Sequence, residues 1–193
     1  HVDPRSGEIL DADIAIESLS SRSIRTLRSQ VLAQAAGVDE PGRADLASGL
    51  VCTYADAAAE QMSYALDVLE ARGEIDPDSP QAREFVDAYL KDTAMHEVGH
   101  ALGLRHNFRA SRAYTAAQLA DPAFTAANGI TASVMEYAAI NLNGPSEPRA
   151  RYGTPFNTTL GPYDYWAIEY AYKPIAVADE AAELHRIAAR SRE

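Results

Sequence analysis

The feature that most constrains this chain is a run of three histidines at fixed spacing between residues 96 and 106. The run reads His-Glu-Val-Gly-His-Ala-Leu-Gly-Leu-Arg-His. On an α-helix, four residues turn the chain by about 400°, so His96 and His100 project from one face about 6 Å apart and can bind one metal ion. Glu97 lies beside them, where its carboxylate can reach the open coordination position of the metal. Glu97 is therefore a candidate base.

The third histidine can join the site only if the helix ends before it. Six further helical residues after His100 would rotate His106 roughly 120° away from the ligand face. Gly103 tolerates the left-handed conformation that commonly ends a helix, so it can reverse the chain and return His106 to the metal. A random chain of this composition would contain the full pattern in roughly 1 of 70,000 cases, which disfavours an ordinary helix with surface histidines.

Two later stretches complete the pattern, Ser133-Val134-Met135-Glu136-Tyr137 and Gly161-Pro162-Tyr163-Asp164-Tyr165-Trp166. Together with the three-histidine run they resemble the metzincin zinc peptidases. Within that group, the Leu-Arg-His-Asn-Phe ending of the run and the Ser-Val-Met-x-Tyr form are similar to the bacterial Met-zincins, which usually form part of larger exported proteins. The resemblance extends in order from about Asp3 to Pro174, but only the His, Glu, Gly and Met positions are highly specific.

The resemblance implies an α+β metzincin-like catalytic domain. We expect it to be mostly helical, with a small truncated N-terminal sheet and a long zinc-binding helix. Residues 1–193 would form one domain with an upper part, 1–102, and a lower part, 103–193. One Zn²⁺ per chain would be held by His96, His100 and His106, above a turn in which Met135 supports the site by packing. By the same resemblance, Tyr137 would bind zinc at rest and swing to stabilise the oxyanion.

The function implied is hydrolysis of peptide bonds in a peptide or protein substrate by zinc-activated water, with Glu97 as general base. One alternative is a catalytically silent, zinc-stabilised binding module within a larger exported protein. The presence of Glu97 argues against that alternative, because a structural zinc site needs no base. Another alternative is a zinc hydrolase that acts on a non-peptide amide.

Composition limits the partners. The net charge is −11, which argues against nucleic acid or an anionic membrane surface, since both attract basic proteins. No apolar run approaches the ~18 residues of a membrane-spanning helix. The chain begins at His1 without a signal peptide, so we expect it to be part of a larger polypeptide. By resemblance, that polypeptide is bacterial and exported, and so periplasmic, on the cell surface or secreted.

Local patterns predict the elements before the metal helix. Asp3 to Gly7 is typical of a turn, and alternating apolar residues over 8–17 predict a strand, either at the sheet edge beside a bound peptide or inside the sheet. Periodicity predicts helices at 23–36 and 53–71, the second with Met62, Leu66 and Leu69 facing inward. Ser79 as N-cap and Pro80 in the first turn open a helix from Pro80 to Leu102.

After the metal helix, residues 103–160 favour an irregular segment apart from a short helix near Thr115 to Leu119. We expect this segment to carry the third ligand, the Met135 turn and the wall of the substrate pocket, because long irregular segments in compact domains are usually functional. Helices are predicted again from Gly161 to about Tyr172 and from Val177 to Arg190. For the residues from Tyr163 to Trp166, core packing is favoured over a place at the pocket.

Overall fold

A computed structural model describes residues 3–14, 54–76, 79–142 and 153–192 of the chain. These described residues are mostly helical and contain no strand. The α-helices within these ranges are α1 (Tyr54–Ala71), α2 (Pro80–Ala101), α3 (Ala116–Leu119), α4 (Pro122–Asn128), α5 (Pro162–Tyr172) and α6 (Glu180–Ala189), with short 3₁₀ turns at Ala110–Arg112 and Arg190–Arg192. The helix predicted at 23–36 lies outside the described residues. None of the described helices is both long and apolar enough to cross a membrane.

The predicted N-terminal sheet is not seen in the part of the chain that the structure describes. Asp3 to Gly7 does form a turn, closed by the Gly7 amide donating to the Asp3 carbonyl at 2.8 Å. The strand expected at 8–17 is wrong for its described part, since residues 8–14 are irregular apart from an isolated bridge at Ile9. Their apolar side chains are exposed, with Leu10 64% accessible. Alternation gives a segment one apolar face, but only a partner strand and a core to cover that face make it part of a sheet.

Helix α2 begins after the predicted N-cap and ends just before the predicted glycine turn. The Ser79 hydroxyl accepts a hydrogen bond from the Ala82 amide at 3.2 Å, and Pro80 occupies the first turn. At the other end the helix stops at Ala101, one residue before the predicted end. Gly103 follows with φ +84°, so it adopts the left-handed conformation predicted for it.

The main core lies between α1 and α2. The inward face of α1 includes Met62, Leu66 and Leu69, all buried as predicted. From α2, Phe85 and Tyr89 join this cluster, and Phe156 of the later irregular segment packs edge-on against both rings. Because the cluster lies directly before residue 96 along α2, it fixes the helix that carries the first two candidate ligands.

The segment after α2 is more regular than predicted. The expected short helix forms as α3, with the Thr115 hydroxyl accepting from the Gln118 amide. Helix α4 was missed, although Asp121 before Pro122 is a typical helix start and the Asp121 side chain accepts from the Ala123 amide at 2.9 Å. A helix of this length gives too little periodicity to be recognised without its cap.

The two C-terminal helices pack against each other and reach back to α2. Helix α5 begins one residue after its predicted start and ends at the predicted residue, whereas α6 is shorter than its prediction at its N-terminal end. Trp166 of α5 donates to the Ile187 carbonyl of α6 at 2.8 Å, and Glu169 pairs with Lys173 and Arg190. The Tyr172 hydroxyl donates to the Leu102 carbonyl at 2.7 Å, which ties α5 to the end of the metal helix.

Replacing Ser79 with Ala should remove the N-cap of α2 and lower the free energy of unfolding by about 1 kcal/mol. Ser79→Asp is the matched control, because its carboxylate can cap the same amide and also favours a helix N-terminus. Urea denaturation followed by circular dichroism measures both. An equal loss in the two variants would show that the cap does not stabilise this helix.

Candidate metal centre

The three predicted ligands come together in space. His96, His100 and His106 each offer a ring nitrogen, and these nitrogens lie within 4.8 Å of one another. The ring centroids are 4.7 to 5.3 Å apart. His96 is fully buried, while the other two rings are half-buried. The histidine cluster is therefore buried at His96 and partly accessible to solvent at His100 and His106.

Backbone geometry after α2 produces this convergence. The Gly103 amide donates to the His100 carbonyl and the Leu104 amide to the Gly99 carbonyl, each at 2.9 Å, and these two bonds close the end of the helix. With Gly103 in the left-handed region, the chain turns back, so the Nε2 atoms of His100 and His106 lie 3.0 Å apart. Two ring nitrogens facing each other at this distance suit a shared cation.

Carbonyl groups set the tautomers of the first two histidines. The Nδ1 atom of His96 lies 2.6 Å from the Val134 carbonyl oxygen, and Nδ1 of His100 lies 3.0 Å from the Leu104 carbonyl oxygen. A carbonyl can only accept, so in each ring Nδ1 carries the proton and donates it. Nε2 is then the nitrogen that presents a lone pair to a metal.

Burial keeps two of the rings neutral. The pKa of His96 is lowered to about 4, chiefly by burial and to a smaller extent by the neighbouring rings of His100 and His106, against the opposing effect of the Val134 carbonyl. Burial also lowers the pKa of His106, with a smaller contribution from His100. Because only neutral imidazole binds a metal, these surroundings favour the binding form.

The segment from Ser133 to Tyr137, called here the Met135 segment, lies directly against the metal helix. Met135 is fully buried, and a Cβ atom built on Gly99 would overlap its sulfur. The absence of a side chain at Gly99 thus lets the two segments approach closely. The Asn107 amide donates to the Met135 carbonyl at 2.9 Å, so the residue after the third ligand is held by the same segment.

Tyr137 stands beside the ligands. Its half-buried ring lies 4.8 Å from the His106 ring and 5.7 Å from the His96 ring, centroid to centroid. Phe108 packs edge-on against Tyr137 at 5.4 Å and is 62% exposed. Both aromatic rings contact His106, one of the two half-buried ligands. Glu97, half-buried on α2, follows the most buried ligand in the chain.

The sequence patterns did not identify two residues of the site, Tyr54 and Asp92. The ring of Tyr54 stacks on His96 at 4.0 Å with an angle of 11°, and its hydroxyl donates to the Asp92 carboxyl at 2.6 Å. Burial raises the pKa of Asp92 to about 7, although the bonds from Tyr54 and Asn157 lower it. Asp92 stands four residues before His96 on the same helix face, a spacing that was readable. Tyr54 belongs to another helix, and nothing in its local sequence indicates this contact.

Comparison with known protein families supplies the identity of the domain. A family model described as Met-zincin matches residues 78–193. The chain belongs to the Met-zincin family. The match includes α2, all three histidines, the Met135 segment and α5. Searches of curated proteins and of solved structures found no significant match.

The donor set of this Met-zincin domain fits zinc. Zinc accepts neutral histidine nitrogens in tetrahedral sites, and catalytic zinc sites keep three protein ligands and one open position. The described residues supply three converging nitrogens, and no fourth His, Cys, Asp or Glu among these residues joins the cluster. Family membership and the histidine cluster together indicate a zinc-binding, peptidase-like domain.

Gly103→Ala should weaken zinc binding about tenfold. Alanine in the left-handed region costs roughly 1–2 kcal/mol, a strain that the metal-free turn can relax but that zinc binding must restore. Gly73→Ala is the matched control, because Gly73 also has a positive φ and open space around its Cβ position but ends α1. Competition with a zinc chelator measures both, and equal affinities in the two variants would contradict the role of the turn.

Tyr54→Phe should destabilise the metal-free protein more at pH 8 than at pH 5. The pKa of Asp92 in the fold lies above its ordinary 3.8, so its stabilising contribution is full below pH 4 and is lost as the pH rises through about 7. Without the Tyr54 hydroxyl this pKa rises further. We expect a deficit of about 1 kcal/mol at pH 5 and about 2 kcal/mol at pH 8, because hydrogen bonds to charged groups are stronger.

Urea denaturation at the two pH values measures this difference. Tyr114→Phe serves as the control, since the Tyr114 hydroxyl donates to the neutral Asn128 carbonyl at 3.2 Å and its loss should cost the same at both pH values. A deficit for Tyr54→Phe that does not change with pH would show that Asp92 does not titrate in this range.

Proposed function

We propose that this domain is a zinc-dependent endopeptidase. The observation that carries the proposal is the convergence of three histidine ring nitrogens around a site that stays open on one side, next to a glutamate on the metal helix. His96, His100 and His106 would hold the metal. Membership in the Met-zincin family supports a peptidase-type hydrolase.

The chemistry divides between the metal and the side chains. Zinc, when bound, would polarise the scissile carbonyl and lower the pKa of a water molecule. Glu97 would take the proton from the attacking water and deliver it to the leaving amine, which is the role of a general base and then a general acid. No covalent intermediate with the protein is required.

Tyr137 is proposed as the group that stabilises the oxyanion. Its ring stands among the ligand rings, 4.8 Å from His106, and its phenol is a donor suited to a developing negative charge. Phe108, exposed next to it, offers an apolar contact for a substrate side chain. The proposed substrate is a peptide or protein segment, and the proposed setting is a larger exported polypeptide.

Replacing Glu97 with Ala tests the proposal. We expect peptide hydrolysis to fall by a factor of about 10²–10⁴ while one zinc per chain stays bound, because Glu97 acts on water and does not ligate the metal. Glu84→Ala is the matched control, an exposed glutamate on the same helix that should leave the rate unchanged. Cleavage of a mixed peptide library is followed by mass spectrometry, and zinc by native mass spectrometry.

Three results would overturn parts of the proposal. Hydrolysis that persists in Glu97→Ala would exclude Glu97 as the base. Zinc bound to the wild-type protein without cleavage of any peptide would instead favour a silent zinc-stabilised module. Cleavage of small amides but not of peptides would indicate a different hydrolase.

A further inference from the structure

Asp164 is a fully buried carboxylate that the proposed chemistry does not use. It lies in the first turn of α5, and its two oxygens accept three hydrogen bonds. The Ser133 hydroxyl donates to Oδ1 at 2.6 Å, and the amides of Val134 and Gly161 donate to Oδ2 at 2.9 and 2.8 Å. Two of these three donors belong to the Met135 segment, which lies beneath the histidine cluster.

A continuous series of hydrogen bonds connects this carboxylate to the buried ligand. His96 donates through Nδ1 to the Val134 carbonyl at 2.6 Å. The other end of the same peptide unit, the Met135 amide, donates to Ser133 Oγ at 3.1 Å. That hydroxyl in turn donates to Asp164 Oδ1. Every group in the series points its donor in one direction, from the imidazole towards the carboxylate.

The start of α5 packs closely against the chain at Ala132, directly before the Met135 segment. A Cβ atom on Gly161 would overlap the Ala132 carbonyl group, so only glycine permits the approach. The Tyr163 amide donates to the Ala132 carbonyl at 3.0 Å. Pro162 occupies the first turn, where its missing amide proton costs nothing. The Gly-Pro-Tyr-Asp stretch therefore holds the Asp164 carboxylate at a fixed position.

We propose that Asp164 is a positioning residue for the metal centre, acting on His96 through Ser133 and the peptide unit between Val134 and Met135. Hydrogen bonds in a series polarise one another, and a carboxylate at the end makes each preceding acceptor stronger. The Val134 carbonyl thus holds the His96 Nδ1 proton more firmly, which fixes the ring and makes Nε2 a better donor to the metal.

This inference rests on the proposed zinc site but not on peptidase activity. A simpler role for Asp164 would be to hold the Met135 segment in place without any effect on the ligand. The two roles predict different effects on zinc binding when the buried hydroxyl of Thr131, in the same region, is removed. Thr131 donates to the Ser133 carbonyl at 2.7 Å, which supports the segment but lies outside the series that reaches His96.

The experiment compares zinc affinity among Ser133→Ala, Asp164→Asn and Thr131→Val, measured by chelator competition on the whole chain. The visible absorption of the Co²⁺-loaded proteins reports the ligand field. We expect Ser133→Ala and Asp164→Asn to bind zinc 10- to 100-fold more weakly and to shift the Co²⁺ bands. Thr131→Val should stay within about threefold of the wild type, with unchanged bands.

The outcomes separate the alternatives. Wild-type zinc affinity and Co²⁺ bands in Ser133→Ala and Asp164→Asn would overturn the inference, and so would an equal loss in Thr131→Val. If Asp164→Asn does not fold, Ser133→Ala decides, because it removes one hydroxyl and leaves the carboxylate in place. A wild-type protein that binds zinc but cleaves no peptide would refute the proposed function and leave this inference standing, whereas one without zinc would refute both.

Discussion

The hydrogen bond from His96 Nδ1 to the Val134 carbonyl joins the two halves of the metal centre. It is buried, 2.6 Å long, and connects residues separated by 38 positions in the chain. One partner stands on the rigid helix α2, and the other on a segment without regular structure. This bond fixes both the tautomer and the orientation of His96, the most buried ligand. The other two histidines can share a metal ion with His96 only when its ring is held in this orientation.

Three independent contacts support that bond from different sides. Tyr54 of α1 stacks on the His96 ring, Met135 fills the space that Gly99 leaves open on α2, and Asp164 of α5 holds the Met135 segment. Each contact comes from a different part of the chain. The irregular segment therefore needs no strand or helix of its own, since its buried polar groups find partners on α2 and α5, in the neighbouring loops and within the segment itself.

The interpretations that failed share one cause. The segment over 8–17 has the alternation of a strand, yet its described residues expose Leu10 and form no sheet, because pairing depends on a partner that local pattern cannot supply. The pattern also favours core packing for the residues from Tyr163 to Trp166, which is wrong for Tyr163 and Tyr165, 39% and 61% exposed, and correct for Asp164. Asp164 is buried, as packing requires, but its carboxylate is occupied by three donors, two of which lie about thirty residues earlier in the sequence.

The sequence by itself determined the features that depend on short spacing. The metal helix Pro80–Ala101 with its Ser79 cap, the turn at Gly103 and the set of three histidines follow from helical periodicity, capping and the freedom of glycine at positive φ. Only the tertiary structure decided that Tyr54 stacks on His96 and that a series of hydrogen bonds through Ser133 connects His96 to Asp164. Such contacts join side chains on separate elements, and their geometry is fixed by how helices pack, which no local pattern encodes.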